Sequence, residues 1–534
     1  MSTISDFLNG KVLFVTGATG FAAKALVEKV LREAPEIGRL YLMIRPRRRS
    51  SGKQISAQER LHGEVLQSGV FSRLKDQMGD EFDDLAARKL VAVDGILTAD
   101  LLGLSPEIFA RIRDEIDIVI NFAGTVVFDE PLDSALNVNT LGPGQVVNFA
   151  KACRDAAFVH VSTAYVNGQR TGKISETLLP ENKAVAHLLG QTDCPAFDLD
   201  AEIKSIEEFS RGLEETSRSQ SVQDAFAQNL DRKNRGKRVT DYRREHQLEA
   251  LRLRWIKKMQ VEEGMRRARE LGWHDSYTLT KAMGEQLIAK RRGDLPTVVM
   301  RPSIIESSLE DPEPGWIQDL KVADPLIVHY SKGRLPDFPI DPKIVLDVVP
   351  VDIVANAILA VLPKIRDNKE IAVYHIASGS QNPILAGELV HLVHRYFKDN
   401  PMRDRSGNPI AVKRWKFSEI RKFKRAFRLR YQIPAAILKW AVDRLPFLPW
   451  PSRLRRKVNL LEATLDQIAT LTDIYSAYTT LDCEFETGNM QTLFGEMSEE
   501  DKRTYNFDVN RINWPEYVQE IHIPGLKRHV LKIG

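Results

Sequence analysis

The chain has 534 residues, 43% apolar and 28% charged, with 76 basic against 72 acidic side chains and a net charge of +4. That is apolar material for two or three cored units; it excludes a disordered chain, and the small charge names no acidic partner. Three scattered cysteines (Cys153, Cys194, Cys483) exclude a disulfide framework and a zinc site and fit a reducing compartment, so no metal is expected.

The N-terminal segment, Met1 to Asp6, lacks the basic-then-apolar order of a signal peptide. No uncharged apolar run reaches the roughly 18 residues of a spanning helix. The best attempt, Val348 to Leu362, is broken by Asp352 and Asn356. The expectation is a cytoplasmic chain, with peripheral membrane contact left open and the oligomeric state unset.

Lys11 to Thr16 is a short apolar run of the kind that forms a strand buried on both faces of a parallel sheet. Gly17-Ala18-Thr19-Gly20-Phe21-Ala22-Ala23 follows, and helical periodicity continues from Lys24 to Glu33. Gly17 permits a tight turn, Gly20 lets the backbone approach a pyrophosphate, and Ala23 lets helix and strand pack closely. The helix N-terminus would supply N–H donors to the phosphates, although a plain strand-to-helix turn needs glycine as well. A second strand, Arg39 to Ile44, runs into Arg45-Pro46-Arg47-Arg48-Arg49 with no carboxylate. An acid there would hold ribose hydroxyls, whereas cations suit a 2′-phosphate, so NADPH is expected over NADH. Further strands are predicted at Lys89 to Val93, Ile116 to Asn121, Phe158 to Ser162, Thr297 to Met300 and Ala372 to Ile376, mostly with helices between them. That alternation predicts an α/β fold, a Rossmann-type doubly wound parallel sheet.

Tyr277 and Lys281 lie four apart in a helical pattern that begins at Tyr277, which puts phenol and ammonium on one face. A neighbouring ammonium favours phenolate, so the spacing predicts a lowered tyrosine pKa. Phe158 to Val161 is a buried strand ending in Ser162 and Thr163, where a ligand would sit beyond the sheet. Residues 170–275 read as a long helical insertion, strongly basic from Asp231 to Lys258; those cations could meet phosphates or form a solvated face paired with Glu245, Glu249, Glu262 and Glu263. Beyond about residue 380 the alternation stops. Arg421 to Arg430 is basic with Phe423 and Phe427 one turn apart, Ile433 to Trp450 is apolar and broken by prolines, and Val458, Leu461, Leu465 and Ile468 predict a packed helix. A basic helix beside an apolar segment can lie in a membrane interface or simply cover a tunnel or a core. The basic residues fit no nucleic-acid module, and no nucleic-acid partner is expected.

Gly17-x-x-Gly20-x-x-Ala23, Asn121-Phe122-Ala123-Gly124, Ser162-Thr163 and Tyr277-x-x-x-Lys281 resemble the extended short-chain dehydrogenase/reductase superfamily. Over nearly its whole length the chain is more narrowly similar to fatty acyl-CoA reductases that form alcohols. That match rests on Thr16 to Phe21, Val161 to Gly168, Tyr277 to Lys281, Val299 to Ser307, Pro314-Gly315-Trp316-Ile317, Asn513-Trp514-x-x-Tyr517 and Gly525 to Arg528. The resemblance implies a catalytic Thr163, Tyr277 and Lys281, with Ser162 as the neighbouring candidate for the hydroxyl. It implies cofactor contacts at Thr16, Gly17, Thr19, Gly20, Phe21 and Ala22, at Arg45 and Arg48, and at Asn121, Ala123, Gly124, Asn139 and Ser162. Tyr277 and Lys281 join them, as do Arg301, Pro302, Ser303 and Ile304 beside the nicotinamide. Asp94 and Gly95 would lie near the adenine, but relatives carry glycine before the acid and this chain reverses them. The implied organisation is a reductase domain over 1–380 and a helical C-terminal domain over 381–534 that shapes the acyl site. The implied activity is NADPH-dependent reduction of long-chain acyl-CoA to a primary alcohol through an aldehyde; the alternative stops at the aldehyde or takes acyl-carrier-protein thioesters.

Overall fold

The computed structural model describes residues 3–48, 52–234, 240–320, 323–335, 337–367, 369–444, 452–475 and 478–533. Seven parallel strands form its centre: β1 (Val12–Thr16), β2 (Arg39–Ile44), β3 (Leu90–Asp94), β4 (Ile118–Asn121), β5 (Ala157–Val161), β6 (Thr297–Pro302) and β7 (Ala372–Ile376). They are the seven predicted strands, with ends moved by at most two residues. Their order is β7-β6-β5-β4-β1-β2-β3, so the direction of winding reverses between β1 and β4. At that reversal the loops leaving the two strands diverge and open a crevice at their carboxyl ends.

Side chains alternate across the sheet, and each face has its own cover. Leu13 and Val15 of β1 face a core shared with α1 (Phe21–Glu33) and α8 (Val351–Val361). Phe14, between them, faces the other core with α2 (Gly142–Ala152), where its ring lies 4.5 Å from Phe149. Val348 to Leu362 thus supplies a helix buried inside the protein.

The insertion between β5 and β6 carries α3 (Leu199–Ser217), α4 (Gln220–Lys233) and α5 (Asp241–Glu270) and leads into α6 (Ser276–Arg291). The basic stretch resolves in part into paired charge. Arg252 is buried against Glu249 and Glu214, Arg244 pairs with Asp231, and Lys258 with Glu262. Arg235, Lys237 and Arg238 lie outside the described residues.

Past β7 the chain is mainly helical, with α9 (Ile420–Phe427), α10 (Ile433–Arg444) and α11 (Ser452–Tyr475); α7 (Asp324–Ser331) precedes α8. Val458, Leu465 and Ile468 of α11 are buried as predicted, but Leu461 is 44% exposed. Pro446, Pro449, Trp450 and Pro451 fall outside the described residues. Cys483–Phe485 pairs in parallel with Gly172–Ile174, stitching the C-terminal region to the start of the insertion. The Gly315 and Gly525 motifs meet directly: a Cβ on Gly525 would lie 2.1 Å from the Gly315 carbonyl oxygen. Nearby, the Tyr517 hydroxyl donates to Ser307 O at 2.7 Å, Ser307 Oγ lies 3.0 Å from His522 Nδ1, and His522 Nε2 lies 3.1 Å from Asp324 Oδ1. Burial works against charge on His522, but the Asp324 carboxylate overrides it and holds the imidazole pKa above its ordinary value.

Candidate active site

The crevice is built first by the turn after β1. Gly17 has φ +69°, and a Cβ there would lie 2.7 Å from Ala123 N, so the turn and the β4 loop touch through backbone. α1 starts at the exposed Gly20, which offers no side-chain cap, so a bare helix N-terminus opens on the crevice. Thr19 and Ala22 are half-buried beside it, and Phe21 turns away to stack on Trp316 at 4.9 Å. At the end of β2, Arg45 and Arg48 are exposed and make no ion pair among the described residues; Arg47 pairs with Glu64, and Arg49 lies outside the described residues. An uncovered helix N-terminus and two guanidiniums without an ion pair among the described residues are donors suited to a nucleotide's phosphates.

Several expected cofactor residues are occupied inside the protein. Asn121 Oδ1 accepts from Thr16 Oγ1 at 2.5 Å and from Ala123 N at 3.3 Å, and its Nδ2 meets His160 Nδ1 at 3.0 Å. Asn139 accepts from Thr125 N at 3.0 Å and donates to Thr280 Oγ1, clamping the loop after Gly124. Asp94 Oδ1 accepts from Ala57 N at 2.8 Å, and Gly95 packs where a Cβ would strike Met43. The Arg301 side chain is 1% exposed, forks onto Glu285 at 3.0 and 2.5 Å, and reaches Thr177 O and His375, so its guanidinium is engaged within the protein. Pro302 ends β6, and Ser303 N and Ile304 N hold the chain to Ile376 O and Asp347 O.

The residues expected to be catalytic lie at the end of β5 and the start of α6. Asp275 caps α6, accepting from Thr278 N at 2.8 Å, and its first turn presents Tyr277. Tyr277 and Lys281 are both buried, Thr163 is the hydroxyl that acts on the Tyr277 phenol to lower its pKa, and Lys281 Nζ donates to Val161 O at 3.3 Å. The ammonium lies against Gly124, where a Cβ would come within 2.8 Å of it. Ser162 Oγ is buried without a hydrogen-bond partner among the described residues, whereas Thr163 acts on the Tyr277 phenol. Burial pushes the Tyr277 phenol up, opposed by Thr163 and reinforced by Asp275, so the net direction is opposite to that predicted from the lysine spacing. Burial pushes Lys281 down to about 8, with Glu285 acting against it.

Sequence reasoning missed the roof of this site. Phe128 stands edge-on to Tyr277 at 5.8 Å and contacts Tyr475 and Tyr478 at 5.7 and 4.9 Å. Tyr165 adds contacts to Tyr478 and Phe485 at 5.2 and 5.3 Å. The Tyr478 hydroxyl donates to Asp275, whose carboxyl is pushed up to about 6 by burial against the donors around it. Asp275 had a local signal, an acid directly before a helix; Tyr478 had none, because its role depends on where α11 delivers it.

The sheet order, the bare helix terminus and the Thr163–Tyr277–Lys281 cluster define a nucleotide-binding reductase of the doubly wound class. Two family models described as "Male sterility protein", the first an NAD-binding one, match residues 15–358 and 447–533. The "Fatty acyl-CoA reductase 2, chloroplastic" of Arabidopsis thaliana is 36% identical over 99% of this chain and 80% of its own length. The "Alcohol-forming fatty acyl-CoA reductase" of Simmondsia chinensis is 32% identical over 99% of both chains. The terminal R domain from the myxalamid PKS-NRPS biosynthetic pathway shares the fold, with TM-score 0.53, 16% identity and coverage of 98% of this chain and 91% of that one. The chain belongs to the fatty acyl-CoA reductase family. No helix among the described residues is long and apolar enough to cross a membrane.

Proposed function

We propose that this protein reduces long-chain acyl-CoA to the primary alcohol with NADPH, through an aldehyde and without a covalent acyl-enzyme. The observation that carries the reading is the burial of Tyr277 and Lys281 one turn apart on one helix, with Thr163 as the hydroxyl that acts on the phenol. The backbone of Gly17, Thr19, Gly20 and Ala22 would hold the dinucleotide phosphates, Arg45 and Arg48 the 2′-phosphate, and Lys281 the ribose. Bound NADPH supplies hydride to the carbonyl carbon, first of the thioester and then of the aldehyde.

Thr163 and Tyr277 would hold the carbonyl oxygen and stabilise the charge that develops on it. When the first adduct collapses, the C–S bond breaks and CoA leaves as its thiolate, which takes its proton from solvent. Burial keeps the Tyr277 phenol protonated, so it can give its proton to the alkoxide in the second step. The ring cluster of Phe128, Tyr165, Tyr475 and Tyr478 would exclude water between the steps. We read 1–380 as the reductase domain and 381–534 as the unit that completes the acyl site; the Tyr475, Tyr478 and Phe485 contacts support this division.

A cysteine nucleophile finds no support. Burial pushes Cys153 and Cys483 up to about 12 and raises Cys194 as well, the opposite of an activated thiol. Counting NADPH oxidised per CoA released tests the proposal: two with alcohol as product upholds it, and one with aldehyde as product overturns it.

A further inference from the structure

The basic and apolar stretch after residue 415 is not absorbed by the reductive site. Between residues 416 and 442 the sequence has eight Lys and Arg against one acid, Glu419, a local excess of seven in a chain whose net charge is only +4. Arg421, Lys422, Lys424, Arg425, Arg428 and Arg430 are all exposed on α9 and the turn that follows it. Phe423 alone of this turn of helix is buried deeply, against Phe338, which fixes which side of α9 faces the protein.

The same run continues into exposed apolar side chains. Leu429, Ile433, Ile437 and Trp440 recur at spacings of four, four and three, as one stripe of a helix does, and Ile437 and Trp440 are 61% and 58% exposed. An ion pair between Lys439 and Glu462 ties α10 to α11, which carries two further exposed apolar side chains, Leu460 and Leu461. Elsewhere, exposed large apolar side chains of the described residues are scattered singly or in pairs. A contiguous apolar strip flanked by cations is unlike an ordinary solvated face.

We propose that α9, α10 and the adjoining part of α11 form a docking face for an anionic lipid bilayer. The apolar stripe would enter the headgroup–acyl boundary while the arginines and lysines meet phosphate headgroups. A second copy of this chain suits the face poorly, because a two-fold contact would bring the two cationic segments together. α11 then runs from the lipid surface, at Leu460, to Tyr475 on the ring cluster beside Tyr277, a rise of about 22 Å at helical geometry. That direct connection would let an insoluble acyl chain or alcohol exchange with the bilayer.

The test is co-sedimentation of the full-length protein with vesicles, a readout that does not depend on the reduction proposed above. Binding is expected to phosphatidylcholine/phosphatidylglycerol vesicles, weaker with added salt and weak to phosphatidylcholine alone. Ile437→Glu with Trp440→Glu should lower the affinity about tenfold or more, and reversing Arg421, Arg425 and Arg428 to Glu should lower it about a hundredfold on anionic vesicles. Leu188→Glu, an exposed apolar site elsewhere, should change nothing, and circular dichroism should be native for all of these variants. Absence of binding to anionic vesicles, or binding indifferent to the Ile437/Trp440 pair, overturns the proposal. So does concentration-dependent self-association that the same pair of substitutions abolishes, since the face would then belong to a second copy.

Discussion

Burial, more than the neighbouring ammonium, governs the Tyr277 phenol, and Thr163 is the group that engages it. Tyr277→Phe removes the proposed proton donor and should lower kcat/KM by about 10²–10⁴-fold with an unchanged circular dichroism spectrum. Lys281 is charged below about pH 8 and neutral above it, because burial has lowered its pKa to that value. Activity should therefore fall on the alkaline side near pH 8, and Lys281→Arg, which stays charged, should move that limb out of the accessible range; the pH–rate profile decides. Arg301 should behave differently from a cofactor contact. Arg301→Met leaves Glu285 buried and unpaired and should cost about 3–5 kcal/mol in denaturant unfolding, without a selective rise in the KM for NADPH. Thr163, Tyr277 and Lys281 were legible because a strand end and a four-residue spacing are local features. The direction of Arg301 was not, since a motif after a strand does not say which face each side chain takes.

At the scale of the element, the start of α6 carries a tie that local sequence shows only by half. Asp275 as a helix cap follows from its position before Ser276, and Thr278 completes that cap. The Tyr478 donor comes from 203 residues away. Tyr478→Phe leaves a buried carboxyl short of one donor and should lower stability by about 1–3 kcal/mol, read from the denaturant midpoint. If the tie also steadies Tyr277, kcat should fall while the KM for NADPH holds. The strands were legible almost to the residue because runs such as Val12–Thr16 are apolar on both faces and end at glycine or charge. In α11 the periodicity that placed Val458, Leu465 and Ile468 in the core misplaced Leu461, since helical spacing marks a stripe and not its width.

For the whole molecule, the motifs around Gly315 and Gly525 act as a pair, their backbones pressed together where neither tolerates a Cβ. Gly525→Ala should loosen the seating of the C-terminal region, lowering the thermal midpoint by about 2–4 °C for each kcal/mol lost and exposing that region to limited proteolysis. Activity should drop with it, because Tyr475, Tyr478 and Phe485 reach the site only when that region is seated.

The sequence by itself determined the order of strands and helices, the glycine turn, the arginine-rich loop and the tyrosine–lysine pair. Each is written in neighbouring residues through periodicity, apolar runs or fixed spacing. Only the tertiary structure decided that Asn121, Asn139 and Arg301 are engaged internally, that Tyr478 ties down the Asp275 cap of α6 from afar, and that the two glycine motifs meet. Those outcomes depend on which face a side chain takes and on contacts between residues up to hundreds of positions apart, and packing of the complete chain sets both.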